Sequence, residues 1–159
     1  MSHTPVYLPL GLKLSGLPCL VVGGGPVGTR KVQTLLGAGA VITVVAPQVS
    51  DEIGQLAVQG KITWRPCLYD PAQLAERPYV LVVAATSDTE VNDRIGREAE
   101  ARGLLCCVAS GPDPGRVVFP AVHATEEIVV AVHTNGRNVR RSQQVRNQIA
   151  KWLAGKDEG

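Results

Sequence analysis

The run Leu20-Val21-Val22-Gly23-Gly24-Gly25-Pro26-Val27-Gly28-Thr29-Arg30-Lys31 constrains the fold more than any other part of the chain. Apolar residues 19–22 stop at three successive glycines, and an amphipathic stretch follows with Val27, Leu35 and Leu36 on its apolar side. That order predicts strand, tight turn and helix. Gly23, Gly25 and Gly28 occupy the G-x-G-x-x-G positions of a dinucleotide-binding turn. A glycine at 23 lets the chain turn where a Cβ would clash. One at 25 lets the backbone approach a pyrophosphate, and one at 28 lets the helix sit close to its strand. The unsatisfied N–H groups and the dipole of the helix N-terminus would then attract phosphate. Three glycines in a turn that binds nothing would weaken it with no gain in packing.

The rest of the chain alternates in the same way. Residues 41–46, 62–65, 79–85 and 104–109 predict strands, 26–36, 51–59 and 90–102 predict helices, and 71–77 a helical turn. Gly37-Ala38-Gly39-Ala40 supplies a glycine stop after the first helix, and Ser50 an N-cap for the second. Residues 6–14, with Pro5 and Pro9, read as a lead-in or edge segment. Strand and helix in alternation predict a doubly wound parallel sheet with right-handed crossovers. Aromatics are only 4% of the 159 residues, so the core is Val, Leu, Ile and Ala, as a sheet buried on both faces requires.

The pattern changes after Ser110, at the breaker Gly111-Pro112-Asp113-Pro114-Gly115. Residues 117–122 and 128–133 predict two strands that pair antiparallel, and 138–153 a final helix with Val145, Ile149 and Trp152 along one side. The chain therefore divides into a nucleotide-binding domain, 1–112, and a small α+β appendage, 113–159, whose last residues, 155–159, form a frayed tail.

Several function classes are disfavoured. A net charge of +2 gives no general case for nucleic acid or membrane binding, and no apolar run approaches the roughly 20 residues of a spanning helix. No secretory leader is evident, so a cytoplasmic protein is expected. Cys19, Cys67, Cys106 and Cys107 form no C-x-x-C pair and are expected as free thiols, and His3, His123 and His133 lack metal-ligand spacing. His3 is expected to be disordered. His133, followed by Thr134-Asn135-Gly136, is the histidine better placed to face a substrate. Ala46-Pro47-Gln48 stands where a nicotinamide dinucleotide site ordinarily has its ribose-binding acid, so backbone groups or Gln48 must hold the ribose. Arg137, Arg140, Arg141, Arg146 and Lys151, with Arg116 upstream, form a basic group with no acid between 135 and 151. Together they could meet a polyanion, a carboxylate-rich metabolite above all.

These blocks resemble the precorrin-2 dehydrogenase / sirohydrochlorin ferrochelatase family, the N-terminal module of siroheme synthase. The likeness rests on Tyr7-Leu8-Pro9-Leu10, the glycine turn with Pro26 to Lys31, and Ile42-Thr43-Val44-Val45-Ala46-Pro47. It continues through Ala84-Ala85-Thr86-Ser87-Asp88 with Asn92, Phe119-Pro120-Ala121, and Val130-Ala131-Val132-His133-Thr134-Asn135-Gly136. It implies a Rossmann-type domain followed by a dimerisation region, hence a homodimer. It also implies NAD-dependent oxidation of precorrin-2, an octacarboxylate, to sirohydrochlorin, with iron insertion in some members. NAD would lie on Gly23, Gly25, Pro26, Val27 and Gly28, with Ala46, Pro47 and Gln48 on the adenosine side and Thr86 across the cleft. Arg116, Asn135, Arg137, Arg140 and Arg141 would meet the substrate carboxylates, and Ser110, Asp113, His133 and Thr134 are the candidates for the chemistry. Ser110 stands where the family carries Asp, so dehydrogenation is expected to be retained and metal insertion to be weak or absent. The alternatives are a bifunctional dehydrogenase/ferrochelatase, a chelatase alone, a non-catalytic member that binds NAD or tetrapyrrole, and an NAD-sensing regulatory module.

Overall fold

A computed structural model describes residues 7–111, 113–135 and 137–155; His3, Pro112, Gly136 and the tail 156–159 lie outside the described residues. The contacts divide the chain into two compact units, Gly11–Val118 and a second made of Phe119 onward with the N-terminal residues through Leu10.

In the first unit, strands β1 (Pro18–Val22), β2 (Val41–Val45), β3 (Thr63–Arg65), β4 (Leu81–Ala84) and β5 (Leu105–Val108) form one parallel sheet in the order β3-β2-β1-β4-β5. Helices α1 (Pro26–Gly37), α2 (Asp51–Val58) and α3 (Thr89–Ala101) supply crossovers, and a 3₁₀ turn, Pro71–Ala75, precedes β4. The central strands are apolar along their whole length because both faces are covered: Cys19, Leu20 and Val21 on β1 and Val82, Val83 and Ala84 on β4 are all fully buried. Leu20 and Val82 share one core cluster with Ile95 and Ala99 of α3 and Cys106 of β5. The Rossmann-type sheet is thus the predicted one.

The local signals act as the sequence implies. Ser50 caps α2 by accepting from Ile53 N, and Gly39, at φ +74°, closes α1 by donating to Leu36 O. Asp70 caps the 3₁₀ turn reciprocally with Gln73, an N-terminal box that the D-x-x-Q spacing carries. One helix face differs from the expected one. Helix α1 buries Gly28, Thr29, Val32 and Leu35, whereas Val27 is exposed, because the first turn is offered to a cleft rather than to the sheet.

The second unit holds β6 (Ala121–Ala124) and β7 (Val129–Val132), paired antiparallel, and helix α4 (Val139–Ala154), which packs against both. The hairpin and helix are those expected, but the first strand begins later than residue 117. Pro120 has no N–H to give to a ladder. The Arg116 and Val117 N–H groups instead both donate to Cys106 O, at 3.0 Å each, which holds that stretch beside β5. On α4, Val145 and Ile149 are half-buried and Trp152 remains largely exposed.

None of the four cysteines is in a disulfide, and burial pushes the Cys19 thiol up to about 11 and the Cys106 thiol up to about 12, the latter helped by Cys107 and Glu100. Both stay protonated at neutral pH in the fold. Their contribution to folding is complete below the ordinary thiol value of 9.0 and is lost as pH rises toward 11 and 12. A disulfide-exchange reagent at pH 8 should therefore label half-buried Cys67 while sparing Cys19 and Cys106 until denaturant is added, and urea midpoints should fall between pH 9 and pH 11. Leu20→Ala should cost about 2–5 kcal/mol in urea unfolding. Val58→Ala, at a side chain 90% exposed, should change stability by less than about 0.5 kcal/mol.

Candidate functional site: a glycine-lined cleft at the switch of strand order

From β1 the chain winds outward through β2 to β3, then returns to place β4 on the other side of β1. At that reversal the loops after β1 and β4 diverge and leave a crevice at the carboxyl ends of the strands. The crevice has a volume of about 590 Å³, with walls from Val22–Val27, Val45–Gln48, Cys67–Tyr69 and Ala85–Asp88, and Val91.

The glycines do different work here. Gly23 has φ +114°, and a Cβ on it would lie 2.2 Å from Ala85 O. A Cβ on Gly28 would lie 2.2 Å from Gly23 O, so α1 crosses β1 at backbone distance. Gly24, to which the sequence reading gives no role, is enclosed as tightly. A Cβ there would stand 2.6 Å from Gln48 O, and the Gly24 carbonyl accepts from Ser50 N at 2.8 Å. Gly25 alone of these four faces open space, with nothing within 4 Å. It is the N-cap of α1 and contributes no side chain to the helix start, so the N–H groups of Val27 and Gly28 in the first turn have no intrahelical partner. Thr29 lashes this turn down. Its hydroxyl bonds Gly25 O at 3.0 Å and meets the Ser50 hydroxyl at 2.8 Å, joining the starts of α1 and α2.

Across the cleft, Asn92 is 2% exposed and organises the loop after β4. Its Oδ1 accepts from Thr86 N at 2.9 Å and lies 2.8 Å from the Thr86 hydroxyl, and its amide donates to Thr86 O at 3.0 Å. Among the described residues, Asp88 is the only charged one lining the cleft, and its carboxylate is occupied in capping α3, accepting from Glu90 N and Val91 N. At the end of β2 both backbone groups of Ala46 are engaged, N–H to Arg65 O at 3.2 Å and carbonyl from Trp64 Nε1 at 2.9 Å. Pro47 has no N–H. Gln48 is exposed on the lip.

The structure thus gathers Gly23, Gly25, Pro26, Val27, Ala46, Pro47, Gln48 and Thr86 around one cavity, with Gly28 directly behind it. Cys67, Leu68 and Tyr69 also line it and escape a reading of the sequence, because the segment after β3 carries no motif. Tyr69 is tethered there. Its hydroxyl donates to Glu98 Oε2 at 2.6 Å, and Glu98 also takes Arg94 Nε at 2.9 Å. Burial and the Glu98 contact hold the Tyr69 phenol protonated well above its usual range. Burial alone would raise Glu98, but the Tyr69 and Arg94 hydrogen bonds outweigh it and hold the carboxyl below its usual range.

The remaining candidates are distributed between the units. Ser110 and Asp113 are exposed on the segment after β5, and Arg116 is paired with Glu100 of α3, Nε to Oε1, at 2.9 Å. In the second unit, Thr134 is part of the α4 cap. Its hydroxyl accepts from Asn138 N at 3.0 Å and stands 3.2 Å from the Ser142 hydroxyl. Asn135 takes a left-handed backbone, φ +51°, and its N–H donates to His133 Nδ1 at 3.1 Å. That bond places the proton of a neutral His133 on Nε2, which makes the ring a donor at that edge. Arg137, Arg140 and Arg141 are exposed around the start of α4. Among the described residues no group of three or more His, Cys, Asp and Glu could hold a metal ion, and no helix is long and apolar enough to cross a membrane.

The two unlike glycines separate packing from access. Gly23→Ala should lower stability by about 2 kcal/mol or more, through the positive φ and the Ala85 carbonyl. Gly25→Ala should leave the unfolding free energy from urea titration within about 0.5 kcal/mol of the parent.

Comparison with known proteins agrees with this geometry. The family model described as "Putative NAD(P)-binding" matches residues 10–121. Siroheme synthases of Chromobacterium violaceum and Methylobacillus flagellatus are 42% and 37% identical to the chain over 147 and 142 residues, covering 92% and 89% of it. The chain spans about three-tenths of the length of these curated relatives, 31% and 30%. Among solved structures, SirC, a precorrin-2 dehydrogenase, superposes with a TM-score of 0.79 at 28% identity, over 91% of this chain and 70% of that one. A strand order that reverses over a glycine-walled cleft, together with these matches, establishes that the chain belongs to the NAD(P)-binding family, in its precorrin-2 dehydrogenase and siroheme synthase branch.

Proposed function

We propose that the chain is an NAD-dependent precorrin-2 dehydrogenase module that yields sirohydrochlorin on the way to siroheme, acting in the cytoplasm as a homodimer. One observation carries the reading. At the switch of strand order, the turn before α1 is packed tight at Gly23, Gly24 and Gly28 and open only at Gly25, in front of a helix start with no side-chain cap. A helix start left open in this way suits a diphosphate.

The residues then divide by task. The N–H groups at Gly25, Val27 and Gly28 would hold the diphosphate, Gln48 the adenosine ribose, and Thr86, fixed by Asn92, the opposite half of the dinucleotide. When bound, NAD supplies the hydride acceptor. The cleft walls are mostly apolar, and with the dinucleotide bound they would help to keep water from the reacting end and to hold its position, a contribution that positioning can make to such a step. Arg137, Arg140 and Arg141 suit the carboxylates of precorrin-2. His133, with its proton on Nε2, is suited to binding a carboxylate rather than to removing a proton, so the proton released in the oxidation goes to solvent. Ser110 is a weaker base than the Asp of the family pattern, and metal insertion, which must strip pyrrole N–H protons, is proposed to be slow or lost.

Calorimetric titration with NAD tests the cradle. Gly25→Asp puts a carboxylate where the diphosphate would lie and should weaken binding at least about tenfold with an unchanged circular dichroism spectrum. Equal affinity in parent and variant would overturn the reading. Anaerobic turnover of precorrin-2 with NAD, followed by NADH absorbance, then distinguishes an enzyme from a binding protein.

A further inference from the structure

The adenosine end of the cleft lacks the charges that usually sort NAD from NADP. An acid after the second strand holds the 2′-hydroxyl of NAD and repels a 2′-phosphate, whereas a nearby Arg welcomes it. The loops 23–28, 46–50, 66–70 and 85–88 contain no Lys or Arg. Their acids are committed elsewhere, Asp70 to the cap of the 3₁₀ turn and Asp88 to the cap of α3.

The charge that matters stands one strand further out. Arg65 ends β3, in register with Val45 of β2. Its carbonyl accepts from Ala46 N at 3.2 Å and from Cys67 N at 2.9 Å, so its backbone bridges two residues of the cleft wall. Its guanidinium, however, is turned to Glu76, which follows the 3₁₀ turn, in an ion pair between side chains 38% and 39% exposed. We propose that Glu76 sets the preference for NAD over NADP by withholding Arg65 from the 2′ position of the adenosine ribose. This rests on the nucleotide reading given under Proposed function.

The chemistry is asymmetric. A 2′-hydroxyl asks only for a hydrogen-bond partner, which Gln48 provides. A 2′-phosphate brings about two negative charges to the lip of a cleft whose loops hold no cation to receive them. The nearby Arg65 is neutralised by Glu76, whose carboxylate also repels the phosphate. Exposed ion pairs are weak, so the device is a bias of several-fold rather than an absolute filter.

The test is titration of the full chain with NAD and with NADP at low and at moderate salt. The parent should bind NAD more tightly. Glu76→Ala should improve NADP affinity about three- to tenfold while leaving NAD within about twofold, and the gain should shrink as salt is added. In the double variant Arg65→Ala/Glu76→Ala the gain should disappear, because it comes from the released guanidinium. Both positions are surface side chains, and matching thermal melts will show that the variants fold. An unchanged NADP-to-NAD ratio in Glu76→Ala, or a gain that survives in the double variant, would overturn the proposal and leave the nucleotide site standing. A parent chain that binds neither dinucleotide would overturn both.

Discussion

The structure depends on a contact between two backbones. Helix α1 meets the turn that leaves β1 so closely that a single carbon on Gly28 would stand 2.2 Å from Gly23 O. No side chain can enter that space, and the α1 start is therefore aimed by main chain alone. Gly23 repeats the constraint against Ala85 O, which fixes the turn to the end of the neighbouring strand β4. Together the two contacts set the width of the crevice between the β1 and β4 loops. The Thr29–Ser50 hydroxyl contact extends the same rigidity to α2.

Much of this is legible in the sequence because it rests on residues whose reason is local. Three glycines after an apolar run, Ser50 before a helix and apolar strands spaced by amphipathic stretches each imply one backbone conformation. What resists reading depends on partners distant in sequence. Val27 has the right period for a buried face, yet the helix start projects past the sheet, so periodicity alone misplaces it. Strand β6 begins after Pro120, since Arg116 and Val117 spend their N–H groups on Cys106 O. Tyr69 belongs to the cleft only through Glu98, 29 residues on, and no short pattern announces such a tether. Gly24 is visible as a glycine, but its necessity comes from Gln48 and Val49, which only the fold brings near.

The cleft is also unusual in where it keeps its charge. A conventional site carries the acid that orders the ribose on the second strand. Here that strand ends in Ala46-Pro47, with both backbone groups of Ala46 already spoken for by β3. The family match over residues 10–121 therefore stands without that acid.

The margins of the sheet have a further consequence. An open parallel sheet has two outer strands whose outward N–H and C=O groups invite another molecule to add a strand. On one side β3 is only three residues long, too short a template to recruit a foreign segment. On the other, the chain folds back so that Arg116 and Val117 occupy the outward carbonyl of Cys106. The same detour that shortens β6 thus takes up an outward acceptor that an added strand would need, and Arg116 and, on the opposite margin, Arg65 set a charge beside each edge.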